Sequence, residues 1–242
     1  SGGSLLDEII ASFGGLSAAE RQELEALADE ATADMAWVPN PGPQTDAFYC
    51  EADDLFYGGQ AGGGKTDLIT GLALTEHERS LILRRQNTDT TAIVERLEGI
   101  LGHRDGLNNS TPKQWRLPGR LIDIGGCLHE GDKQKYKGKP HDLIGFDEIS
   151  DFTESQFRFI IAWNRSTTPG QRCRVVAAGN PPTTPEGFWV IKYWAPWLDP
   201  THPRPAKPGE LRWFTTIGDR DVECDGPGEV EVNGEMVRPR SR

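Results

Sequence analysis

The chain has 242 residues, of which 36% are hydrophobic and 26% charged, and its formal net charge is −11. This length suits one sizeable domain, with or without a small appendage, and is enough for a buried core. No apolar run is long enough to span a bilayer and the N-terminus has no secretory signal pattern, so a membrane or secreted protein is not expected. The acidic balance excludes a protein that is basic over its whole surface, and any nucleic-acid contact has to be local.

The N-terminal part of the chain predicts a helix followed by extended chain. Residues 1–4 resemble a cloning linker, and residues 5–37 predict a helical segment in which Ser17 and Glu20 form a capping box. Three prolines then occur within five residues, at positions 39, 41 and 43. Because proline breaks a helix, this segment is predicted to be extended.

From residue 54 onward, short apolar strands alternate with helices. Strands are predicted at 54–57, 80–83, 143–146 and 174–178, a β-hairpin at 115–124, and helices at 65–75, 88–101 and 155–163. This alternation predicts a mostly parallel sheet covered by helices on both faces. After residue 184 prolines are frequent, and the predicted strands 211–216 and 229–237 are short and exposed. We therefore expect a core over 5–184 and a small subdomain over 185–242.

A glycine-rich turn between the first strand and the following helix matches the pattern G-x-x-x-x-G-K-[ST]. Its residues are Gly59, Gln60, Ala61, Gly62, Gly63, Gly64, Lys65 and Thr66. Glycines let backbone N–H groups approach phosphate oxygens, and the helix presents its positive end to the same anion. In such a loop the lysine reaches the β- and γ-phosphates and the threonine hydroxyl ligates Mg²⁺. The turn is therefore the predicted site for ATP and Mg²⁺.

The apolar strand 143–146 runs directly into two carboxylates, Asp147 and Glu148. At this strand end, P-loop enzymes hold Mg²⁺ with an acid and the P-loop hydroxyl. Because neighbouring strand residues point to opposite faces, the two acids should have different roles. We predict that Asp147 acts on the metal's water shell and that Glu148 is the general base for the attacking water. A glutamate base favours hydrolysis over transfer of phosphate to a second substrate.

Four features in this order resemble the large terminase subunit of tailed bacteriophages, the ATPase that drives DNA into a prohead. They are a proline-rich segment ending at Gln44, the glycine-rich turn with Tyr57 before it, the acidic strand, and Ala178-Gly179-Asn180-Pro181 after the next strand. The resemblance covers residues 35–242. It implies a P-loop NTPase fold of the RecA-like (ASCE) type with a small C-terminal lid.

The resemblance also implies roles for two further residues. Gln44 would hydrogen-bond adenine, and Asn180 would sense the γ-phosphate and relay hydrolysis to the lid. A strand-end amide beside the P-loop can donate to a phosphate oxygen, which is compatible with the second role. The alternatives that stay open are a surface-loop side chain for Gln44 and a turn residue before two prolines for Asn180.

Two departures from the family pattern leave the charge-stabilising residue undecided. Many members carry an arginine four positions before the P-loop lysine, where this chain has Ala61. Others supply an arginine in trans just before the acidic strand, where this chain has Lys137, and a lysine cannot make the planar two-pronged contact of an arginine. The candidates are Arg84, Arg85, Arg158, Arg165 and Lys137, with Arg84 and Arg85 predicted as catalytic.

The resemblance further implies partners: duplex DNA, the portal of the prohead and the small terminase subunit, with this chain in a ring of identical subunits in a host bacterium's cytoplasm. The predicted DNA contact is a basic stretch, Lys133, Lys135, Lys137 and Lys139, for which a solvated loop is the alternative. Family members continue into a nuclease domain, which is not expected in this chain. Two rival functions share the site: a helicase- or recombinase-like ATPase, and an ATP-binding scaffold with little turnover.

Overall fold

The computed structural model describes residues 17–59, 62–218 and 220–242. The helices among them are α1 (Ala18–Thr32), α2 (Pro43–Tyr49), α3 (Lys65–Thr75), α4 (Thr91–Leu101), α5 (Glu154–Ile161), α6 (Phe188–Tyr193) and α7 (Ala195–Leu198). The strands are β1 (Asp54–Tyr57), β2 (Arg79–Arg84), β3 (Leu107–Asn108), β4 (Lys113–Leu117), β5 (Arg120–Gly126), β6 (Leu143–Asp147), β7 (Arg174–Ala178), β8 (Trp213–Ile217), β9 (Arg220–Cys224), β10 (Val230–Val232), β11 (Glu235–Val237) and β12 (Arg240–Ser241). Short 3-10 turns occupy Thr88–Thr90, Glu130–Tyr136, Ile149–Asp151 and Pro185–Gly187.

The chain divides into two compact units, one that contains α1 and ends at Val38 and one that spans Pro39–Arg242. In the first unit the predicted capping box is confirmed, because the side chains of Ser17 and Glu20 each accept from the other's backbone N–H. Helix α1 ends at Thr32, earlier than predicted. Its last turn has no basic residue, and acidic side chains there are repelled by the negative end of the helix. The predictions for residues 1–4 and 5–16 lie outside the described residues.

Seven strands of the second unit form one sheet in the order β1-β7-β6-β2-β5-β4-β3. The first five in this order are mutually parallel, whereas β4 and β3 are antiparallel additions at one edge. The predicted α/β class with a mostly parallel sheet is therefore confirmed. Strand β7 lies between β1, which precedes the glycine-rich turn, and β6, which carries the acids. The carboxyl ends of these neighbouring strands thus meet at one edge of the sheet.

Helix α3 and an aromatic cluster cover the sheet. Strands β6 and β7 are buried over their whole length, as expected for central parallel strands. Helix α3 lies so close to β6 that a Cβ at Gly145 would collide with Ile69, which explains the glycine. The other part of the core is a cluster of buried aromatic residues from β6, α5, α6 and the segments next to them: Phe146, Phe152, Phe157, Trp189, Tyr193 and Trp194.

The predicted extended chain at the prolines is wrong from Pro43 onward, where helix α2 begins. Pro43 occupies the first helical position, at which its missing N–H would have had no intrahelical partner. Gly42 precedes it with φ 93°, a conformation that favours glycine. Proline therefore starts this helix instead of preventing it, and Gln44 becomes a residue of its first turn.

The C-terminal region has more structure than the sequence predicted. Helices α6 and α7 were not predicted, and the single predicted strand over 229–237 is wrong. That stretch forms the antiparallel pair β10 and β11, joined at Asn233 and Gly234 with φ 53° and 85°. An Asn-Gly pair is the sequence signal for this type of hairpin turn. No helix within the described residues is long and apolar enough to cross a membrane.

The end of the described chain is tied to the beginning of β1. Arg240 donates to the carboxylate of Asp54, with Nη2 to Oδ1 at 2.5 Å, and Asp54 is fully buried. The Ser241 backbone N–H donates to Asp53 Oδ2 at 2.8 Å, and β12 pairs with β8. These bonds fasten the C-terminal region within the second unit, whereas its predicted role as a lid over 185–242 stays a prediction.

Candidate active site

Side chains from three segments hold the backbone carbonyls of the glycine-rich turn. Lys65 Nζ donates to Gly59 O at 2.9 Å, Tyr57 Oη to Gly63 O at 3.0 Å and Gln44 Nε2 to Gly64 O at 3.0 Å. Gly59, Gly62 and Gly64 all have positive φ, at 144°, 84° and 69°. These three contacts and the three glycine conformations define the shape of the turn. Two predicted members of it, Gln60 and Ala61, lie outside the described residues.

Lys65 and Asn180 meet at the carboxyl edge of the sheet, as the sequence predicted for two site residues. Lys65 begins helix α3, is 8% exposed, and donates from Nζ to Asn180 Oδ1 at 3.2 Å. Asn180 follows β7, and its backbone carbonyl oxygen accepts from Ser150 Oγ at 2.9 Å. The lysine cation thus lies where a phosphate would meet both the P-loop and the end of β7.

Thr66 and Asp147 form the link between the P-loop and the acidic strand. Thr66 Oγ1 donates to Asp147 Oδ2 at 2.9 Å, and Asp147 is 1% exposed. The same oxygen accepts from Arg84, whereas Oδ1 has no hydrogen-bond partner among the described residues. A buried carboxylate oxygen left over beside a hydroxyl is the kind of oxygen donor that Mg²⁺ takes.

The described residues contain no group of three or more His, Cys, Asp and Glu that could hold a metal unaided. Mg²⁺ needs no such cage, since it is commonly held by one or two carboxylates together with substrate phosphates and water. The residues present therefore fit a Mg²⁺ ion that arrives with a nucleotide. Thr66 and Asp147 are the residues that would hold it.

Glu148 has an unusual backbone and a shifted pKa. Its φ of 61° and ψ of 62° are left-handed, which is rare for a residue with a side chain and concentrates at functional sites. Burial and the neighbouring Asp147 raise the pKa of its carboxyl, while Arg84 and Lys65 act in the opposite direction. A raised pKa makes a carboxylate a better proton acceptor, which suits the predicted general base.

Of the two predicted arginines, the structure brings one to the acidic pair. Arg84 donates from Nε to Asp147 Oδ2 at 2.7 Å. Arg85 points the other way, as the next residue after a strand should, and donates from Nη1 to Cys127 O at 3.0 Å and Gln156 Oε1 at 2.6 Å. Arg84 alone of this pair is within reach of the site.

The other candidate cations are engaged elsewhere or exposed. Arg158 pairs with Glu154 and Asp221, and the guanidinium of Arg165 lies 4.7 Å from the centre of the Trp163 ring. In the basic stretch, Lys133 pairs with Glu130, and Lys135 with Asp132 at 2.8 Å. Lys137 and Lys139 are exposed, and within the described part of the chain they form no ion pair.

Gln44 is buried against the P-loop instead of lying in a surface loop. It is 3% exposed, and its Oε1 accepts from Asn40 N at 2.6 Å. Its Nε2 donates to Gly64 O and also to Asp67 Oδ2, at 3.2 Å. The sequence reasoning missed the supporting roles of Tyr57 and Asp67, for which adjacency to the motif was the only available signal.

No protein-family model matches this chain, and no curated protein matches it. Among solved structures, the large terminase of a thermophilic bacteriophage is similar with 14% identity and a TM-score of 0.48, over 65% of this chain and 43% of that one. A structure of the same terminase in complex with ADP has 14% identity and a TM-score of 0.43, over 57% and 38% of the two chains. The large terminase ATPase domain of Thermus phage P74-26 has 11% identity and a TM-score of 0.46, over 75% and 82%. Since less than half of the first of these terminases is covered, the activity and partners of a whole terminase are proposals for this chain.

Proposed function

We propose that this chain binds ATP with Mg²⁺ and hydrolyses it, as the ATPase part of a packaging motor that drives duplex DNA into a prohead. The contact between Thr66 Oγ1 and Asp147 Oδ2 carries the ATPase proposal, because it joins the P-loop to the acidic strand across 81 residues. A hydroxyl and a carboxylate in this contact are the pair that P-loop enzymes use for Mg²⁺.

Each residue of the site then has a chemical task. Lys65 would bind the β- and γ-phosphates, Thr66 and Asp147 would hold the metal ion, and Glu148 would accept a proton from the attacking water. Bound Mg²⁺ would supply charge neutralisation at the phosphate oxygens. Asn180, whose Oδ1 accepts from Lys65 Nζ, would donate from its amide nitrogen Nδ2 to the γ-phosphate. The loss of that phosphate would remove a hydrogen bond from Asn180, the residue that follows the end of β7.

Arg84 is the proposed charge-stabilising residue in this chain. Its guanidinium already contacts the acidic pair at Asp147. It would supply the positive charge that many family members provide from an arginine at the position of Ala61. A guanidinium donates through a planar fork, which lets it contact two phosphate oxygens at once. Arg85 has no such access, since its guanidinium is bonded to Cys127 and Gln156.

DNA packaging is a more specific proposal than ATP hydrolysis, and it rests on the order of the four sequence motifs. Its partners would be duplex DNA, the portal and the small terminase subunit, in a ring of identical chains. Lys137 and Lys139 are the proposed DNA contacts, because they are exposed and form no ion pair among the described residues. Lys133 and Lys135 already have acidic partners and would contribute less.

ATP turnover per molecule, measured over a wide range of protein concentration, tests the proposal with Glu148→Gln as the control. Removing a general base should slow turnover by about a hundred- to ten-thousandfold. A rate that climbs with concentration would mean that a neighbouring subunit completes the site, as a ring motor requires. A flat rate would mean that Arg84 completes it within one chain. Equal rates for the chain and Glu148→Gln would overturn the ATPase and favour a binding scaffold.

Duplex DNA separates the packaging motor from the helicase-like alternative. A motor that moves intact duplex should be stimulated by blunt duplex DNA and release no single strands. Strand separation in a fluorescence-quenching assay would favour the helicase-like or recombinase-like alternative. Both assays use the same protein, so the ATPase proposal stands in either case.

A further inference from the structure

Both N–H donors and the oxygen of the Gln44 side-chain amide form hydrogen bonds with protein groups. An amide offers two N–H donors and one carbonyl oxygen. Both donors are used, one by Gly64 O at 3.0 Å and the other by Asp67 Oδ2 at 3.2 Å, and the oxygen accepts from Asn40 N at 2.6 Å. With 3% of Gln44 exposed, almost no surface is left for a base. Because both donors are used, an N–H bond from Gln44 to adenine would require breaking a bond that the structure already makes.

Helix α2 holds Gln44 rigidly, because both of its ends are tied down. At its C-terminal end the buried guanidinium of Arg174 donates to Phe48 O and Ala47 O, each at 3.1 Å. A cation at this end is also attracted to the negative pole of the helix and stabilises it. At the other end, Thr45 Oγ1 donates to Asn40 O at 2.8 Å. The amide of Gln44 is thus delivered to the P-loop by a fixed element.

The two acceptors of Gln44 lie on either side of Lys65. Gly64 is the left-handed residue just before it, and a Cβ there would collide with the amide of Gln44. Asp67 lies in the first turn of α3 and also accepts from Arg96 Nε at 2.7 Å. Gln44 therefore bridges the last residue of the loop and the first turn of the helix, where the phosphate-binding backbone changes direction.

We infer that Gln44 is a positioning residue that sets the conformation of the P-loop for the triphosphate, and that it does not read the base. This inference rests on the proposed ATP site and deepens it. Its consequence is that Gln44 contributes equally to the binding of any nucleoside triphosphate. Loss of the two amide bonds should weaken triphosphate binding by about tenfold, which corresponds to about 1.4 kcal/mol for the pair.

Gln44→Glu tests this by reversing the polarity of the bridge. The new carboxylate keeps an acceptor for Asn40 N–H but faces Gly64 O and the Asp67 carboxylate with oxygen. Dissociation constants are measured by calorimetry for Mg-ATP, Mg-GTP and Mg-tripolyphosphate, with the fitted stoichiometry reporting the folded fraction. All three should rise by a similar factor, about tenfold. Adding Asp67→Asn, whose amide can donate to Glu at position 44, should recover part of the loss for all three.

Two further variants keep the test decisive if Gln44→Glu folds poorly. Asp67→Ala removes one end of the bridge and leaves Gln44 in place, so it should weaken all three ligands, with Arg96→Ala as the control for the lost ion pair. Thr45→Ser changes the same segment but keeps the hydroxyl that donates to Asn40 O, so it should leave all three affinities as they were.

Loss confined to ATP, or no loss for any ligand, would overturn the inference while leaving the proposed function intact. If the unaltered chain bound none of the three, the proposed function would fail and the inference with it.

Discussion

Two nitrogens of the Arg84 guanidinium contact the same oxygen of Asp147: Nε lies 2.7 Å and Nη2 2.6 Å from Oδ2. Asp147 is 1% exposed, and its other oxygen has no partner among the described residues. In the proposed function the same carboxylate serves Mg²⁺, so the guanidinium and the metal ion compete for it. When Mg-ATP binds, Arg84 would be repelled from Asp147 and drawn to the γ-phosphate.

Arg84→Ala should abolish turnover, whereas Arg85→Ala should not. A charge-stabilising arginine contributes about 10³ to 10⁵ in rate, and Arg85 has its bonds on the other side of β2. Turnover per folded molecule is the measurement, with the folded fraction taken from circular dichroism. Arg84→Lys should recover little, because lysine lacks the planar fork. Comparable losses in both alanine variants would mean that position 84 has no special role.

Arg84→Ala should also destabilise the nucleotide-free protein, by about 2 kcal/mol, because it removes the charged partner of a buried carboxylate. Millimolar Mg²⁺ should recover part of this loss in Arg84→Ala and change the unaltered protein much less. The readout is the urea unfolding free energy with and without Mg²⁺, with Ca²⁺ as the comparison ion. A Mg²⁺ effect of equal size in both proteins would contradict competition for Asp147.

Glu148→Gly should be more stable than Glu148→Gln by about 1 kcal/mol, although both lack the proposed general base. The backbone at this position has φ 61°, which a side chain disfavours by about 1–2 kcal/mol, partly offset by the greater chain entropy of glycine. Both variants lack the charge of Glu148, so their difference reports the backbone strain together with the packing of the half-buried glutamine side chain. The measurement is the urea unfolding free energy at neutral pH, and a less stable glycine variant would contradict stored strain.

Asp221 should stabilise the C-terminal region in a pH-dependent way. Burial works against its carboxylate, but Arg158 and Arg242, at 2.9 and 2.7 Å from Oδ2, outweigh it and lower its pKa from 3.8. A lowered pKa adds stability that is fully present above pH 3.8 and is lost as the pH falls through the folded-state value.

Asp221→Asn should therefore be less stable by about 2 kcal/mol at pH 7, with the deficit shrinking as the pH falls below 3.8. Unfolding free energies from pH 7 down to 3 check this. The exposed Asp225 provides the matched control, since Asp225→Asn should show no such deficit. A deficit that is constant with pH would show that the ion pairs are not its source.

The double variant Lys137→Gln and Lys139→Gln should weaken binding to duplex DNA. It should also reduce the steepness of log affinity against log salt concentration by about 2, because each lost phosphate contact contributes about 0.9. Lys135→Gln is the control, because Lys135 is already paired with Asp132. Fluorescence anisotropy with a labelled duplex over a range of salt concentration measures both. An unchanged slope in the double variant would remove this stretch from the proposed interface.

The sequence alone was sufficient for the elements of the parallel sheet and for the position of the motifs. Strand periodicity and the glycine-rich turn are local signals, so the strands 54–57 and 174–178 and the helix beginning at Lys65 follow from a few adjacent residues. The same is true of the acid pair, because an apolar strand that ends in Asp147 and Glu148 is visible without any partner. Two errors were also local: Pro43 starts a helix, and Asn233 with Gly234 turns a hairpin.

The tertiary structure decided which side chains meet. Arg84 and Arg85 are equivalent in sequence, and only the alternation at the end of β2, within the packed sheet, directs one to Asp147 and the other to Gln156. Gln44 lies 20 residues from Gly64, and its burial against the P-loop depends on how α2 packs. Local patterns reflect the conformational preferences of adjacent residues, whereas contacts between distant residues depend on the packing of whole elements, which a single sequence does not display.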